Sequence, residues 1–253
     1  MAERLPRVAI LASGDRESGS GGSTAERVVR ATLEQKVGFT VGLVVCNNGP
    51  DKVPGLYAKF SELNREFGLT GDSRVDVVNI GPRTHPDGKL QRGQTLSESA
   101  AVCRMLEERD TGFVATLGYL RIITGELLEA GGWKPEYGAA DTTFNGIYHH
   151  GAWILNNHPA ILPFTADTHG SGAHARALAL YRAGKLRSTA FTQHLVGVGV
   201  DNGPVVHQEP VPIYDTDDVD SLSARVQTTE KAMTAHVIEK HLILRDEHLR
   251  GGL

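Results

Sequence analysis

The stretch ILNNHPAILP, Ile154 to Pro163, sets three polar side chains at the end of an apolar run and follows them at once with proline. Side chains alternate along a strand, so Asn156 and His158 share one face while Asn157 points to the other. A histidine titrating near neutrality can give or take a proton, and an amide N–H can hold charge that develops on a carbonyl oxygen. The turn Asp201-Asn202-Gly203-Pro204 offers a carboxylate that could orient and charge such a histidine. Each residue alone has a plainer reading: Asn156 as a turn cap, His158 as a satisfied core histidine, Asp201 as a turn former. Their joint placement at strand ends favours acid–base chemistry at a carbonyl. Asn156, His158 and Asp201 are therefore the catalytic candidates, and Asn157 keeps a backbone role at most.

Those strand ends require a sheet. Continuous apolar runs at Arg7–Ser13, Phe39–Asn48, Val75–Gly81, Gly112–Gly118 and Ala152–His158 read as strands covered on both faces. Amphipathic stretches at Ser23–Gln35, Leu56–Gly68 and Ser97–Arg109 separate the first four, the pattern of right-handed βαβ units and a parallel sheet. A helix at Ser171–Gly184 follows, then strands at Ser188–Val198 and Val205–Ile213 paired through the DNGP turn, then a helix over Asp220–Leu244. The expected fold is α/β: a Rossmann-like, mostly parallel sheet with helices on both faces and antiparallel strands late in the chain. One continuous sheet makes residues 1–253 a single domain. Two polar, glycine-rich stretches, Pro82–Thr95 and Gly131–Gly151, read as long loops of the kind that form lids or insertions.

Ligands of an open parallel sheet bind beyond the carboxyl ends of its strands. Four such ends carry chemistry here: SGDRESGSGGST, GYLRII, NNHP and GVDNGP. The first, Ser13–Thr24, opens a helix with a capping-box pattern at Ser23-Thr24-Ala25-Glu26, and backbone N–H groups at a helix start suit a phosphate. A flexible capped turn is the alternative, since neither GK[ST] nor a clean GxGxxG is present. No GxSxG elbow supports a serine hydrolase. The chain has 11 histidines, but His169 and His174 are five apart and no HExxH occurs, so no metal is expected. Cys46 and Cys103 lie in apolar surroundings and read as two free thiols of a reducing compartment. A net charge of −4 without clustered Lys and Arg excludes a nucleic-acid partner. The first apolar run is too short to span a membrane, and no signal-peptide cleavage region follows it, which points to a soluble cytoplasmic protein.

At these same residues the sequence resembles the phosphoribosylglycinamide formyltransferase family, folate-dependent enzymes of purine synthesis, and more broadly the formyltransferase fold. The family pattern N-x-H-P-[SA]-L-L-P is similar to NNHPAILP, and G-[YF]-M-R-I-L to GYLRII, Gly118–Ile123. The D-x-G-P turn matches Asp201–Pro204, and R-V-Q-x-x-E matches Arg225–Glu230. The glycine-rich S-G-x-G-S-N start looks like Ser13-Gly14, resumed after extra residues at Gly22-Ser23-Thr24. The likeness covers Phe113–Leu244 and Arg7–Asn48 and is thin between Gly49 and Thr111.

This resemblance implies transfer of a formyl group from 10-formyltetrahydrofolate, as co-substrate, to a primary amine, with no metal and no protein nucleophile. It implies His158 as general acid/base, Asn156 at the oxyanion of the tetrahedral intermediate, and Asp201 as the group that charges His158 and organises water. Leu120, Arg121, Ile122, Val198 and Asp201 would line the folate side. Ser13, Gly14, Gly22, Ser23, Thr24, Pro159 and Glu230 would lie toward a phosphorylated amine. Residues 1–112 would form the phosphate- and substrate-binding half, and residues 113–253 the catalytic and folate-binding half. Small molecules are the expected partners, and a homodimer is compatible with the reading. The chain departs from the pattern in three places: DRESGSGG expands the first loop and Thr24 replaces an asparagine, FTADTHGSGAHARAL lengthens the link after the NNHP strand, and Gly125–Gly151 is inserted before it. His174 still looks like the family's helix-start histidine. Glycinamide ribonucleotide is the first acceptor expected, with another small amine as the alternative. Hydrolysis of 10-formyltetrahydrofolate is a further alternative, disfavoured because no regulatory domain precedes the chain. A pure folate- or nucleotide-binding module would not need Asn156, His158 and Asp201 together.

Overall fold

A computed structural model describes residues 4–14, 22–81, 92–134, 151–166, 168 and 171–249. Most of the expected loops at 82–95 and 131–151, and residues 15–21 of the glycine-rich loop, lie outside the described residues, as does His169. The chain forms two compact units, Met1–Gly131 and Gly132–Leu253.

The first unit contains β1 (Arg7–Ala12), α1 (Ser23–Leu33), β2 (Thr40–Cys46), α2 (Pro54–Glu66), β3 (Asp76–Asn79), α3 (Leu96–Glu108), β4 (Phe113–Thr116) and α4 (Gly125–Gly131). All its strand pairs are parallel: β1 lies between β2 and β4, and β3 pairs with β2. Val8 to Ala12 are buried without a break, as a strand covered on both faces requires. Helix α3 starts on a reciprocal capping box, with Glu98 N–H donating to Thr95 Oγ1 at 3.2 Å and Thr95 N–H to Glu98 Oε2 at 2.7 Å. The box expected at Ser23 does not form. Gly22 is the N-cap of α1, in the left-handed region at φ 69°, and no side chain caps the helix. The Gly22 carbonyl already accepts the Glu26 N–H at 2.8 Å, so Ser23 stands inside the first turn with its side chain exposed. A second difference is α4, where the sequence suggests only inserted loop. Its first turn rests on Ser99, whose hydroxyl donates to Thr124 O and accepts from the Leu127 N–H.

The second unit contains β5 (Ile154–His158), α5 (Ser171–Arg182), β6 (Ser188–Leu195), β7 (Val205–Pro212) and α6 (Val219–Leu249). Its strands are antiparallel, β6 between β5 and β7, as the late part of the sequence suggests. Phe191 and Val211 of the strands pack with Ala177 and Leu178 of α5 and Leu222 and Val226 of α6 in one apolar cluster. The α/β expectation, parallel early and antiparallel late, is met. Cys46 and Cys103 are buried and free. No helix among the described residues is long and apolar enough to cross a membrane.

The β6–β7 connection is closely packed against the end of β6. The Leu195 N–H donates to Pro204 O at 2.9 Å, and a Cβ at Gly203 would stand 1.8 Å from the Leu195 carbonyl oxygen. Backbone cannot yield to that overlap as a flexible side chain could. Gly203→Ala is expected to destabilise the protein by at least about 2 kcal/mol in urea unfolding, because the connection must move to admit the methyl group.

Candidate active site

Strand β5 lies antiparallel to β6 so that Asn156 sits opposite His194, and Asn157 opposite Gln193. Directly opposed residues present their side chains to the same face, within reach of one another. On one face Asn156 Nδ2 lies 2.9 Å from His194 Nε2, and it also donates to Asp201 Oδ1 at 3.2 Å. His158 Nδ1 is 3.2 Å from Asp201 Oδ2, and His194 Nε2 is 3.3 Å from Asp201 Oδ1. The Asp201 carboxylate thus stands among two imidazoles and an amide. The structure brings Asn156, His158 and Asp201 together and adds His194 to them.

Asp201 reaches this place from an unusual backbone position. It is one of three non-glycine residues with positive φ among those described, at 49°, a region that aspartate tolerates better than most residues. Asn202 holds the loop from within by donating its amide to Val198 O, so the carbonyl of Val198 is already engaged. Trp133 supports the chain just before it by donating its N–H to Val196 O at 2.7 Å.

Hydrogen-bond valence fixes part of the protonation pattern. His194 Nδ1 lies 2.9 Å from Leu195 O, which can only accept, so Nδ1 carries a proton. In the neutral ring Nε2 accepts from Asn156; a protonated ring would aim a second N–H at Asp201 instead. Burial alone would push the Asp201 carboxyl up, against ionisation, but the contacts from His158 and His194 prevail and hold it far below the ordinary range. His174, buried at the start of α5, is pushed down first by burial and then by the charge of His158, and its Nδ1 has no hydrogen-bond partner among the described residues.

Asn157 is not confined to a backbone role. Its amide donates to Glu230 Oε1 at 3.1 Å and Thr234 Oγ1 at 3.0 Å, both on α6, and its oxygen accepts from Gln193 Nε2 at 2.6 Å. The alternation of the strand is as expected, but its second face is polar too. Glu230, a candidate for the acceptor side, is reached through Asn157. Pro159 follows on the strand end, half-buried.

In the first unit Ser13 joins two of the chemistry-bearing loops. Its N–H donates to Gly118 O at 3.2 Å, and its hydroxyl accepts the Leu120 N–H at 2.8 Å. Its carbonyl accepts the Asn48 amide at 2.7 Å, and the residue is fully buried. Ser13 therefore shapes the end of β1. Gly14 and Gly22 both have positive φ at the limits of the described loop, Ser23 is exposed and Thr24 half-buried. The Arg121 guanidinium is buried against Glu98, at 2.6 and 3.1 Å, and also bonds Gly93 O. Burial opposes ionisation of Glu98, yet the Arg121 and Thr95 contacts prevail and keep its carboxyl below the usual value. Ile122 uses both its backbone groups on the neighbouring segment, with its N–H on Arg92 O and its carbonyl on the Gln94 N–H. Leu120 and Ile122 expose their apolar side chains from a loop anchored in this way.

Fold and site together describe an α/β protein in which buried imidazoles meet a half-buried carboxylate and amide at the end of a strand. A model of the formyl transferase family matches residues 146–238, which include β5 to most of α6. A phosphoribosylglycinamide formyltransferase of Mycobacterium tuberculosis is 43% identical over 79 residues, 31% of this chain and 34% of that protein's length. The enzyme of that name from Bacillus subtilis is 24% identical over 96% of this chain and 97% of its own. The crystal structure of glycinamide ribonucleotide transformylase 1 from Geobacillus kaustophilus superposes with a TM-score of 0.63 at 25% identity, covering 94% of this chain and 98% of that one. The chain is thus similar to the formyl transferase family over residues 146–238, and to phosphoribosylglycinamide formyltransferases at lower identity over most of its length.

The pH dependence of stability follows from Asp201. A carboxylate depressed by folding contributes stability that is complete above its unfolded value of about 4 and is lost as pH falls below it. Asp201→Asn is therefore expected to cost roughly 3 kcal/mol at pH 7, since it leaves buried imidazole donors without their charge partner. Chemical denaturation of both proteins should show the difference shrinking steadily below about pH 4.

Proposed function

We propose that this protein transfers the formyl group of 10-formyltetrahydrofolate to the amine of glycinamide ribonucleotide, a step of purine synthesis. The observation that carries the reading is the convergence of Asn156, His158 and Asp201 at the end of β5, in a chain similar to this family. The names of the relatives support the acceptor. Another small amine is the second reading, favoured by the expanded loop after Ser13, where Thr24 stands in place of an asparagine.

The chemistry asked of the site is modest. An amine nitrogen attacks the formyl carbon and the carbonyl oxygen becomes an oxyanion. The amine then loses a proton, folate N10 gains one, and the carbon–N10 bond breaks. Asn156 gives one of its amide hydrogens to the oxyanion in exchange for its present partner, His194 or Asp201. The His158–Asp201 pair supplies the positive charge beside that oxygen and the proton for N10, with Asp201 accepting through water the proton that the amine sheds. Leu120, Arg121, Ile122 and Val198 are assigned to the folate, the arginine through its backbone because its side chain is held by Glu98. Gly14, Gly22, Ser23, Thr24, Pro159 and Glu230 are assigned to the acceptor, with Ser13 shaping the loop rather than donating to it.

Incubation with 10-formyltetrahydrofolate, with and without glycinamide ribonucleotide, tests the reading. Tetrahydrofolate formed only with the ribonucleotide supports it. Product without any amine would assign hydrolysis instead, and no product in either arm would assign another acceptor or binding alone. His158→Ala is expected to lower kcat by about 10²- to 10⁴-fold, the usual contribution of a positioned acid–base group. An unchanged rate would remove His158 from the reaction.

A further inference from the structure

His158 has a second partner that the reaction scheme does not use. Its Nε2 lies 2.9 Å from Thr165 Oγ1, and both side chains are buried. The same hydroxyl donates to Ile161 O at 2.7 Å. A threonine has one hydroxyl proton, and a carbonyl oxygen can only accept. With that proton committed to Ile161, the hydroxyl oxygen can meet Nε2 only as an acceptor, so Nε2 carries a hydrogen. On the other side of the ring Nδ1 faces the Asp201 carboxylate at 3.2 Å, and that contact is attractive only if Nδ1 also carries a hydrogen. A ring with N–H at both nitrogens is an imidazolium.

We propose that Thr165 is a positioning residue that holds His158 in its protonated, proton-donating form. The two contacts clamp the ring from opposite ends, Asp201 by charge and Thr165 by a neutral acceptor that can serve only one protonation state of Nε2. The sequence places Thr165 seven residues beyond His158, in the turn over residues 162–166, and its hydroxyl links the ring to the Ile161 carbonyl. The charged and titratable groups around His158 are Asp201 from the β6–β7 connection, His194 from β6 acting on Asp201, and His174 from α5. Of these only Asp201 favours the imidazolium, whereas His174 opposes it when charged. Thr165 adds a hydrogen bond to the charged form without adding charge.

This inference rests on the acid role given to His158, yet it can be tested without substrate. Nitrogen-15 NMR of histidine-labelled, unliganded protein reads the protonation of both ring nitrogens of His158 across pH. The wild-type protein should show hydrogen on Nε2 at neutral pH, and Thr165→Val should move the His158 titration midpoint down by about one pH unit. Thr165→Ser, which keeps the hydroxyl, should restore the wild-type midpoint. The alkaline limb of the kcat profile should move down in step in the valine variant, with KM for the folate little changed. A midpoint unaltered by valine overturns the proposal. So does a wild-type spectrum lacking Nε2–H, which decides the matter even if the valine variant fails to fold. A protein with the predicted titration but no formyl transfer would keep the role of Thr165 and refute the proposed reaction.

Discussion

The second unit depends on the antiparallel register of β5 and β6, which sets Asn156 against His194 and Asn157 against Gln193. Side-chain period in a sheet is two, so a slip of one residue would turn each of these groups to the opposite face. Asn157 would then meet Asp201, and Asn156 would be carried toward α6. Apolar residues around the pairs, Leu155 and Leu195 in one direction and Phe191 in the other, secure the register because they are fully buried. The polar pairs would be costly in any other alignment, since buried amides and imidazoles left without partners lose more than a formed hydrogen bond gains.

Around that register the protein arranges charge with few groups. Asp201 is the one carboxylate described among Asn156, His158 and His194, and it arrives on a loop whose backbone geometry is demanding: positive φ at Asp201, and at Gly203 a passage too close to Leu195 for any side chain. Strain of this kind persists only where surrounding contacts over-determine it. Here the contacts are Asn202 on Val198, Leu195 on Pro204, and Trp133 on Val196. The result places an ionised group in a low-dielectric setting, where its influence on neighbouring imidazoles far exceeds what it would be in water.

The first unit uses its polar residues differently. Ser13 and Arg121 look from the sequence like candidates for ligands, yet with Asn48 and Glu98 most of their capacity goes to holding loops at the ends of β1, β2 and β4. Arg121 shows why composition misleads here. A buried guanidinium needs a carboxylate and further acceptors to offset its lost hydration, and Glu98 with Gly93 supplies them. What this anchoring offers to a ligand is a fixed backbone and two exposed apolar side chains, Leu120 and Ile122.

Apart from α4, the order of strands and helices, the parallel first half, the antiparallel end, and the shared face of Asn156 and His158 were legible in the sequence. Each follows from local periodicity or from the alternation of a strand, which a chain carries wherever it goes. The partners were not legible. His194 and Gln193 sit in an apolar strand 36 to 38 residues beyond their neighbours on β5, and Thr165 in a turn with no pattern of its own. Ser23 matched a capping pattern, but a left-handed Gly22 had already turned the chain into the helix, a choice of backbone dihedrals that side-chain types did not reveal. The sequence by itself determined which elements form and which residues could carry protons. Only the tertiary structure decided which of those residues touch, because contact across strands depends on register and loop geometry, and both are settled by packing distant segments together.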